Sequence, residues 1–166
     1  MAVLFGEQTV TGMGIRPASV SDATEVWSVI DAAFACYTDR MEGPPAPLLA
    51  DYTKLCARGE VRVLRVGRRI VAVLHGDVVG DALQIETLAV HPDFAGRGCG
   101  NILLEWAVDL ALMEGARAVT LYTNVVMHEA RRFWTAMGFR ETGRAWADGY
   151  DRIYFRRSLL EEGVPA

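Results

Sequence analysis

Residues 86–104 read ETLAVHPDFAGRGCGNILL, a strand pattern followed by a turn with a proline, a glycine-dense loop and the start of a long apolar helix. The glycines that alternate through the loop are Gly96, Gly98 and Gly100. Glycines leave the backbone uncovered, so successive N–H groups can converge on one anion. The helix N-terminus behind them adds unpaired N–H groups and a partial positive charge, and Arg97 adds a full charge. The stretch therefore predicts a diphosphate site between a strand and a helix.

Two common diphosphate motifs do not fit this loop. A dinucleotide fingerprint needs G-x-G-x-x-G, but its third glycine is replaced by Asn101 counting from Gly96, and by Leu103 counting from Gly98. A Walker A loop ends in a lysine followed by serine or threonine, and this loop has no lysine. Both nucleotide-binding alternatives are therefore disfavoured.

Upstream of the loop, the pattern predicts a strand, two helices and three strands. A strand at 14–17 leads into a capping-box pattern at 19–22, which opens a helix. Helical spacing predicts that this helix buries one apolar face. Its members are Ala23, Val26, Trp27, Ile30 and Phe34. The prolines of 42–47 interrupt the helical pattern before a second helix at 48–57. The strands are expected at 61–66, 70–74 and 82–90.

Downstream, helices and strands alternate. We expect a helix at 98–114, a strand at 118–123, a helix at 129–137 and two final strands at 140–146 and 150–156. The order is β-α-α-β-β-β-α-β-α-β-β, with no repeat or linker. We interpret residues 1–166 as one domain of the mixed α/β (α+β) class, with its core at 14–160.

The bulk properties exclude several classes of protein. A net charge of −4 gives no electrostatic footprint for nucleic acid or an anionic membrane. The 3 cysteines form no CxxC pair and the 3 histidines lack metal-ligand spacing, so we expect neither a disulfide framework nor a metal site. The N-terminus lacks a signal-peptide pattern, and no apolar run reaches the roughly 18 residues of a membrane span. We therefore expect a soluble, cytoplasmic protein.

The strand and loop resemble the acetyl-CoA signature of the GNAT superfamily, Q/R-x-x-G-x-G/A preceded by V-x-P. Val90 and Pro92 supply the V-x-P, and the loop departs from the signature only at Ala95, where the family has Gln or Arg. Residues 121–139 resemble the family's second cofactor motif, a strand and a helix ending in an aromatic pair and G-F. The resemblance covers about residues 15–160 and is strongest over 83–139.

This resemblance implies a fold, a cosubstrate and a set of site residues. The fold would be a mixed, mostly antiparallel sheet of 6–7 strands flanked by helices, and the cosubstrate would be acetyl-CoA, with no metal. The residues implied to bind it are Leu88, Ala89, Val90, Ala95, Gly96, Arg97, Gly98, Cys99, Gly100, Asn101, Asn124, Phe133 and Trp134. The weakly matching N-terminal part would hold the acceptor, with Tyr37, Asp39 and Glu42 as candidate contacts.

Glu86 is the candidate catalytic base. Strand alternation places it on the same face as Leu88 and Val90, and the alternative is a solvated strand carboxylate. Many GNAT enzymes have a tyrosine acid where this chain has Trp134, whose indole N–H only donates hydrogen bonds. The candidate substitutes for this acid are Tyr122, Tyr150 and Tyr154, and the sequence gives no basis for choosing among them. Asn124 is predicted either to bind the pantetheine amides or to shape a turn.

The resemblance implies an N-acetyltransferase that moves acetyl from acetyl-CoA to a primary amine of a small molecule or peptide, by direct attack in a ternary complex. A catalytically silent acyl-CoA sensor is the alternative, and Ala95 and Trp134 are the residues that favour it. The expected partner is the amine acceptor, with no nucleic acid and no membrane. Sheet edges in such a fold also suit pairing into a homodimer.

Overall fold

A computed structural model of the chain describes residues 3–5, 8–10 and 12–160. Two short strands, β1 (Val3–Phe5) and β2 (Gln8–Val10), pair antiparallel at its start. The sequence pattern predicts only a leader there, because strands of three residues are too short to show an alternation. The outermost parts of the predicted domain, residues 1–2 and 161–166, lie outside the described residues.

The remaining elements follow the predicted order closely. They are β3 (Met13–Pro17), α1 (Ala23–Phe34), α2 (Tyr52–Ala57), β4 (Val61–Val66), β5 (Arg69–Val79), β6 (Ala82–Val90), α3 (Cys99–Met113), β7 (Ala118–Asn124), α4 (His128–Ala136), β8 (Arg140–Ala147) and β9 (Tyr150–Ser158).

Two predicted boundaries were wrong. The second helix begins at Tyr52 rather than at residue 48, because Asp51 caps it by accepting the Lys54 N–H and residues 46–49 form a separate 3-10 turn. Strand β5 continues to Val79 rather than ending at residue 74. Its last residues include Gly76 and Asp77, which are poor strand formers when the sequence is considered alone.

The main sheet has seven strands in the order β3-β4-β5-β6-β7-β9-β8. Strands β6 and β7 run parallel, whereas β3–β4, β4–β5, β7–β9 and β8–β9 are antiparallel pairs. This confirms the predicted mixed, mostly antiparallel sheet with flanking helices.

The chain divides into two compact units, one of residues 1–75 and 87–106 and one of residues 76–86 and 107–166. In the first unit α1 lies against α2, and Val26 and Ile30 of α1 are completely buried. In the second, β7 and β9 form an antiparallel ladder with Leu121 opposite Phe155, both of them buried. Strands β5 and β6 and helix α3 contribute residues to both units.

The start of α1 is organised by the predicted capping box. The Asp22 carboxylate accepts the Ser19 N–H at 2.7 Å and two bonds from the Arg16 guanidinium at 2.7 and 3.0 Å. On the helix itself, Trp27 was wrongly predicted to be buried: it is 42% exposed, and its Nε1 donates to the Leu48 carbonyl. Val29 is buried on α1 together with the other four predicted residues.

Candidate functional site

The glycine loop of the first unit has a conformation that glycine permits. Gly96 and Gly98 have φ of +73° and +80°, in the left-handed region that strains other residues. Helix bonding begins where the Ile102 N–H donates to the Gly98 carbonyl at 3.0 Å. The N–H groups of the first helical turn therefore have no partner within the helix. This is the backbone arrangement that binds phosphates.

Side chains around the loop differ in what they offer an anion. Arg97 is exposed, and its guanidinium lies 5.4 Å from the centre of the Phe94 ring. The Arg69 guanidinium also lies over the Phe94 ring, but its charge is paired with Asp93 at 3.0 Å. Ala95 is exposed and contributes no side-chain donor. Arg97 is therefore the loop's own charged group.

Two of the seven predicted loop residues at 95–101 are buried, and the other five are exposed. Gly100 and Cys99 lie buried in the first turn of α3, whereas Asn101 faces outward. Burial raises the pKa of the Cys99 thiol, and the nearby Arg97 offsets this only in part. The thiolate expected at a helix N-terminus is therefore not favoured here, and small size explains the cysteine.

Strand β6 leads to this loop with alternating burial. Ala89 is 2% exposed and Thr87 is 5% exposed, while Glu86, Leu88 and Val90 are half-buried on the opposite face. Thr87 is hydrogen-bonded to the hydroxyl of Tyr52 in α2, which itself donates to the Pro47 carbonyl at 2.7 Å. The face opposite Glu86 is thus held by a buried polar contact, and the alternation that the sequence predicts for β6 is confirmed.

In the second unit, Glu86 has a hydrogen-bond donor on each carboxylate oxygen. Gln84 donates from Nε2 to Oε1 and the Tyr122 hydroxyl donates to Oε2, both at 2.9 Å. The parallel register pairs Ile85 with Leu121, so the next residue of each strand is a member of this contact. Burial, and then the charge and hydrogen bond of Glu86, raise the pKa of Tyr122 to about 12.

Arg152 lies on the other side of the Tyr122 ring. Its guanidinium carbon is 4.0 Å from the ring centre, and Nη1 pairs with Asp148 at 2.9 Å. Arg152 is only 8% exposed. Sequence reasoning misses Gln84 and Arg152. The alternation of β6 would have placed Gln84 beside Glu86, whereas Arg152 is brought here only by the β7–β9 pairing.

The remaining cofactor candidates have structural contacts of their own. The Asn124 side chain accepts the Val126 N–H at 3.1 Å, which favours the turn-forming alternative for its oxygen and leaves its amide nitrogen to bind a ligand. Trp134 is 6% exposed and packs edge-on against Phe133 and Phe139, with ring centres 5.0 and 5.1 Å away. Contacts of Trp134 and Phe133 with the cofactor stay predictions.

The three candidate acceptor residues lie in and after a 3-10 turn that follows α1. Tyr37 is 8% exposed and packs edge-on against Phe34, with the Arg40 guanidinium over its ring. Asp39 and Glu42 are exposed. A role in binding the acceptor remains a prediction for all three.

The described residues lack two kinds of feature. No three His, Cys, Asp or Glu side chains in that part of the chain are grouped as metal ligands. No helix among these residues is both long and apolar enough to cross a membrane.

Comparison with known proteins gives relatives of one kind. An uncharacterized N-acetyltransferase of Methanocaldococcus jannaschii is 36% identical over 44% of this chain and 33% of its own length. The aminoalkylphosphonate N-acetyltransferase of Salmonella typhimurium is 32% identical over 41% of this chain and 42% of its own. The matches thus span a third to less than half of these two relatives.

A solved structure shows the same fold over nearly the whole chain. It is the PaiA N-acetyltransferase of Thermoplasma acidophilum in complex with coenzyme A, which aligns with a TM-score of 0.78 at 13% identity and covers 90% of this chain and 100% of that one. The sequence model of the Acetyltransferase (GNAT) family matches residues 26–139, which include strand β6, the glycine loop and helix α4. The chain belongs to the GNAT acetyltransferase family.

Proposed function

We propose that this chain is an N-acetyltransferase that moves acetyl from acetyl-CoA to a primary amine of a small molecule or peptide. The observation that carries the proposal is strand β6. It holds a carboxylate with two donors at Glu86 and ends four residues later at Val90, and a 3-10 turn at Pro92–Phe94 connects it to the glycine loop at a helix N-terminus. A base on the strand that leads to an anion-binding loop suits an enzyme that transfers a group from a diphosphate-bearing carrier.

The loop residues fit the diphosphate of coenzyme A. The left-handed glycines Gly96 and Gly98 expose backbone N–H groups, and Arg97 supplies a positive charge at the surface. Backbone donors carry most of this binding, so Ala95 weakens the interaction without abolishing it. Residues Leu88–Val90, which lie beyond the last β6–β7 pair, would bond the pantetheine arm through main-chain groups.

Bound acetyl-CoA supplies an activated thioester carbonyl. A main-chain N–H of 88–90 would polarise its oxygen, and positioning of the amine beside it supplies much of the rate. Glu86 takes a proton from the ammonium group through a water, since an alkylamine is mostly protonated at neutral pH. The amine nitrogen then forms the new C–N bond as the C–S bond breaks, and it releases its second proton to solvent, which yields the amide and the thiolate of CoA.

The reaction has no need of an acid at Trp134. A thiol has a pKa near 8.5, so its departure as a thiolate at pH 7.5 costs only about 1.4 kcal/mol relative to the protonated product. The thiolate then takes its proton from solvent. Burial of Trp134 between Phe133 and Phe139 is consistent with a packing role.

The relatives support an amine as the acceptor. One of them is named for the acetylation of aminoalkylphosphonates, which are small primary amines. We propose the same broad class for this chain, with residues 14–160 as the core of one acyltransferase domain in the cytoplasm.

Calorimetry with acetyl-CoA, CoA, NADH and ATP is the first test. We expect micromolar binding of the two CoA species alone, weakened several-fold by Arg97→Ala and unchanged by Arg58→Ala, which removes an exposed arginine outside the loop. Release of CoA thiol is then measured with a panel of amines. Binding without release from any amine would favour the silent sensor, and absence of CoA binding would remove the proposal.

A further inference from the structure

The residues around Glu86 do more than supply a base. Each of its oxygens accepts one hydrogen bond, from Gln84 and from Tyr122, at 2.9 Å. Donors on both oxygens favour the ionised form of a carboxylate and restrict its rotation. A base that accepts a proton through one water requires both conditions, because the direction of its lone pairs selects the position of that water.

Tyr122 is unsuited to be the acid that the leaving thiolate lacks. Burial and the neighbouring Glu86 raise the pKa of Tyr122 to about 12. A thiol of pKa near 8.5 would take a proton from such a phenol only uphill. At neutral pH the Tyr122 hydroxyl therefore keeps its proton and donates it in the bond to Glu86.

The ring of Tyr122 is held from its far side. Arg152 places its guanidinium 4.0 Å from the ring centre, and Asp148 pairs with that guanidinium at 2.9 Å. The ring of Tyr154, opposite Tyr122 in the β7–β9 ladder, lies 6.0 Å away. A cation over a tyrosine face is attracted by the ring electrons, most strongly where water is excluded, and Arg152 is buried.

We propose that Tyr122 is the positioning residue for Glu86: its hydroxyl donates to one carboxylate oxygen and holds the carboxylate in one direction, while Arg152 keeps the Tyr122 ring in place. The inference rests on the proposed function, in which Glu86 takes the proton of the amine. Tyr122 contacts the base and not the reacting atoms. We therefore expect its removal to change proton transfer to Glu86 and to leave the binding of acetyl-CoA unchanged.

A pH profile separates this role from a structural one. Tyr122 on β7 is the titratable group that bonds Glu86, and Arg152, Asp148 and Tyr154 on β9 and its turn surround Tyr122. On β5, the strand on the other side of β6, His75 pairs with Glu60. The Tyr122 hydroxyl keeps its proton between pH 5.5 and 9, so it adds no ionisation of its own to the rate profile. Using one amine for every variant makes the difference between variants a property of the site.

The first experiment compares kcat/KM for CoA release across that pH range in wild type, Tyr122→Phe and Thr120→Val. Thr120 lies two residues earlier on the same face of β7 and pairs with Gln84, so its variant removes a hydroxyl from this strand while both donors to Glu86 stay in place. We expect Tyr122→Phe to lower kcat by about 3- to 10-fold with an unchanged KM for acetyl-CoA, and to move the acidic limb to higher pH because the carboxylate loses a donor. A Tyr122→Phe profile that matches wild type at every pH, or a loss that appears in KM for acetyl-CoA instead of kcat, would overturn the inference.

The role of Arg152 is tested by comparing its substitution with that of Tyr122. Arg152→Lys keeps the charge but loses the planar contact with the ring. We expect it to move the limb in the same direction as Tyr122→Phe and to add nothing in the Tyr122→Phe background. Additive effects would remove Arg152 from the inference.

A second readout needs no activity. The Glu86 carboxyl carbon is followed by NMR as the pH is changed, with Glu86→Gln to assign its signal. We expect the titration midpoint to rise in Tyr122→Phe and to stay in place in Thr120→Val; an unchanged midpoint in Tyr122→Phe would contradict the inference. A wild-type protein that acetylates no amine would remove the proposed function, and this titration would still decide whether Tyr122 positions Glu86.

Discussion

At the scale of single residues, both the sequence pattern and the tertiary structure determine the surroundings of Glu86. Its place on β6 follows from alternation alone, while its two hydrogen bonds come from a neighbour on its own strand and from β7. These bonds distinguish it from the solvated strand carboxylate that the sequence also allows. Because of these bonds, a substitution that removes the charge of Glu86 tests the site more specifically than one that removes the charge of an ordinary surface carboxylate.

We predict that Glu86→Gln retains the affinity for CoA and loses turnover by about 10²- to 10⁴-fold at neutral pH, as expected for removal of a general base. The measurement is thiol release together with calorimetric titration of CoA. Glu114→Gln, which changes an exposed carboxylate at the end of α3, serves as the control. Turnover of Glu86→Gln within a few-fold of wild type would contradict the assignment.

The ion pair of Asp22 with Arg16 leads to a prediction about stability at the residue scale. Its bonds to Arg16 hold the pKa of its carboxyl well below its ordinary value of 3.8, with the Ser19 N–H adding to the effect. Because the unfolded chain binds this proton more tightly, the contribution to the free energy of unfolding is complete above about pH 4 and is lost as the pH falls below that value.

We therefore expect Asp22→Asn to lower the free energy of unfolding by about 1–2 kcal/mol at pH 7, and by progressively less below pH 4. Denaturant titrations at several pH values measure the difference. Asp31→Asn, on an exposed position of α1, is the matched control and should change little. A difference that stays constant down to pH 2 would show that the carboxylate is not held by Arg16.

At the scale of elements, β5 and β6 approach each other closely at Gly76. A methyl group there would lie 2.6 Å from the Gln84 carbonyl oxygen and 3.2 Å from the Ile85 Cα, both of which are backbone atoms. Backbone cannot move aside as a flexible side chain can. This approach is also next to Gln84, one of the two donors to Glu86.

We predict that Gly76→Ala destabilises the fold by about 1–3 kcal/mol, the range of overpacking substitutions. Gly14→Ala, in β3 with nothing within 4 Å, should be tolerated. Chemical denaturation of both variants makes the comparison. Equal stabilities would mean that the strands separate here at little cost.

The helices and strands also show which boundaries a local sequence pattern predicts well. The strands at 61–66 and 82–90 were predicted to the residue, because their apolar and β-branched residues are bounded by turn glycines. The second helix and the end of β5 were misplaced, because an Asp cap and pairing with a neighbouring strand decided them. The prediction that Trp27 is buried was wrong for a related reason. Its apolar ring covers the surface, and its indole N–H donates to a carbonyl of a distant segment.

At the scale of the whole molecule, binding of acetyl-CoA should stabilise the folded state by mass action. At 100 times its Kd, a ligand adds about 2.7 kcal/mol to the free energy of unfolding. For a chain of this size that corresponds to a rise of about 5–10 °C in Tm. Thermal unfolding with acetyl-CoA, and with NADH as the control, measures it. No rise with acetyl-CoA, or an equal rise with NADH, would mean that the glycine loop does not recognise coenzyme A.

The sequence by itself determined the family, the order of elements and the strand-loop-helix unit for which we propose diphosphate binding. Each depends on local causes: glycines where the backbone must turn left-handed, period-two alternation in β6 and apolar spacing in the helices. The face of β6 that carries Glu86 follows from the same alternation.

Only the tertiary structure decided what surrounds Glu86. Tyr122 reaches it through the register of β6 and β7, and Arg152 reaches Tyr122 through the pairing of β7 with β9. These strands lie far apart along the chain, and their register depends on the packing of the whole sheet rather than on any local pattern. The burial that raises the pKa of Tyr122, and so changes it from a candidate acid into a donor, is likewise a property of the folded chain.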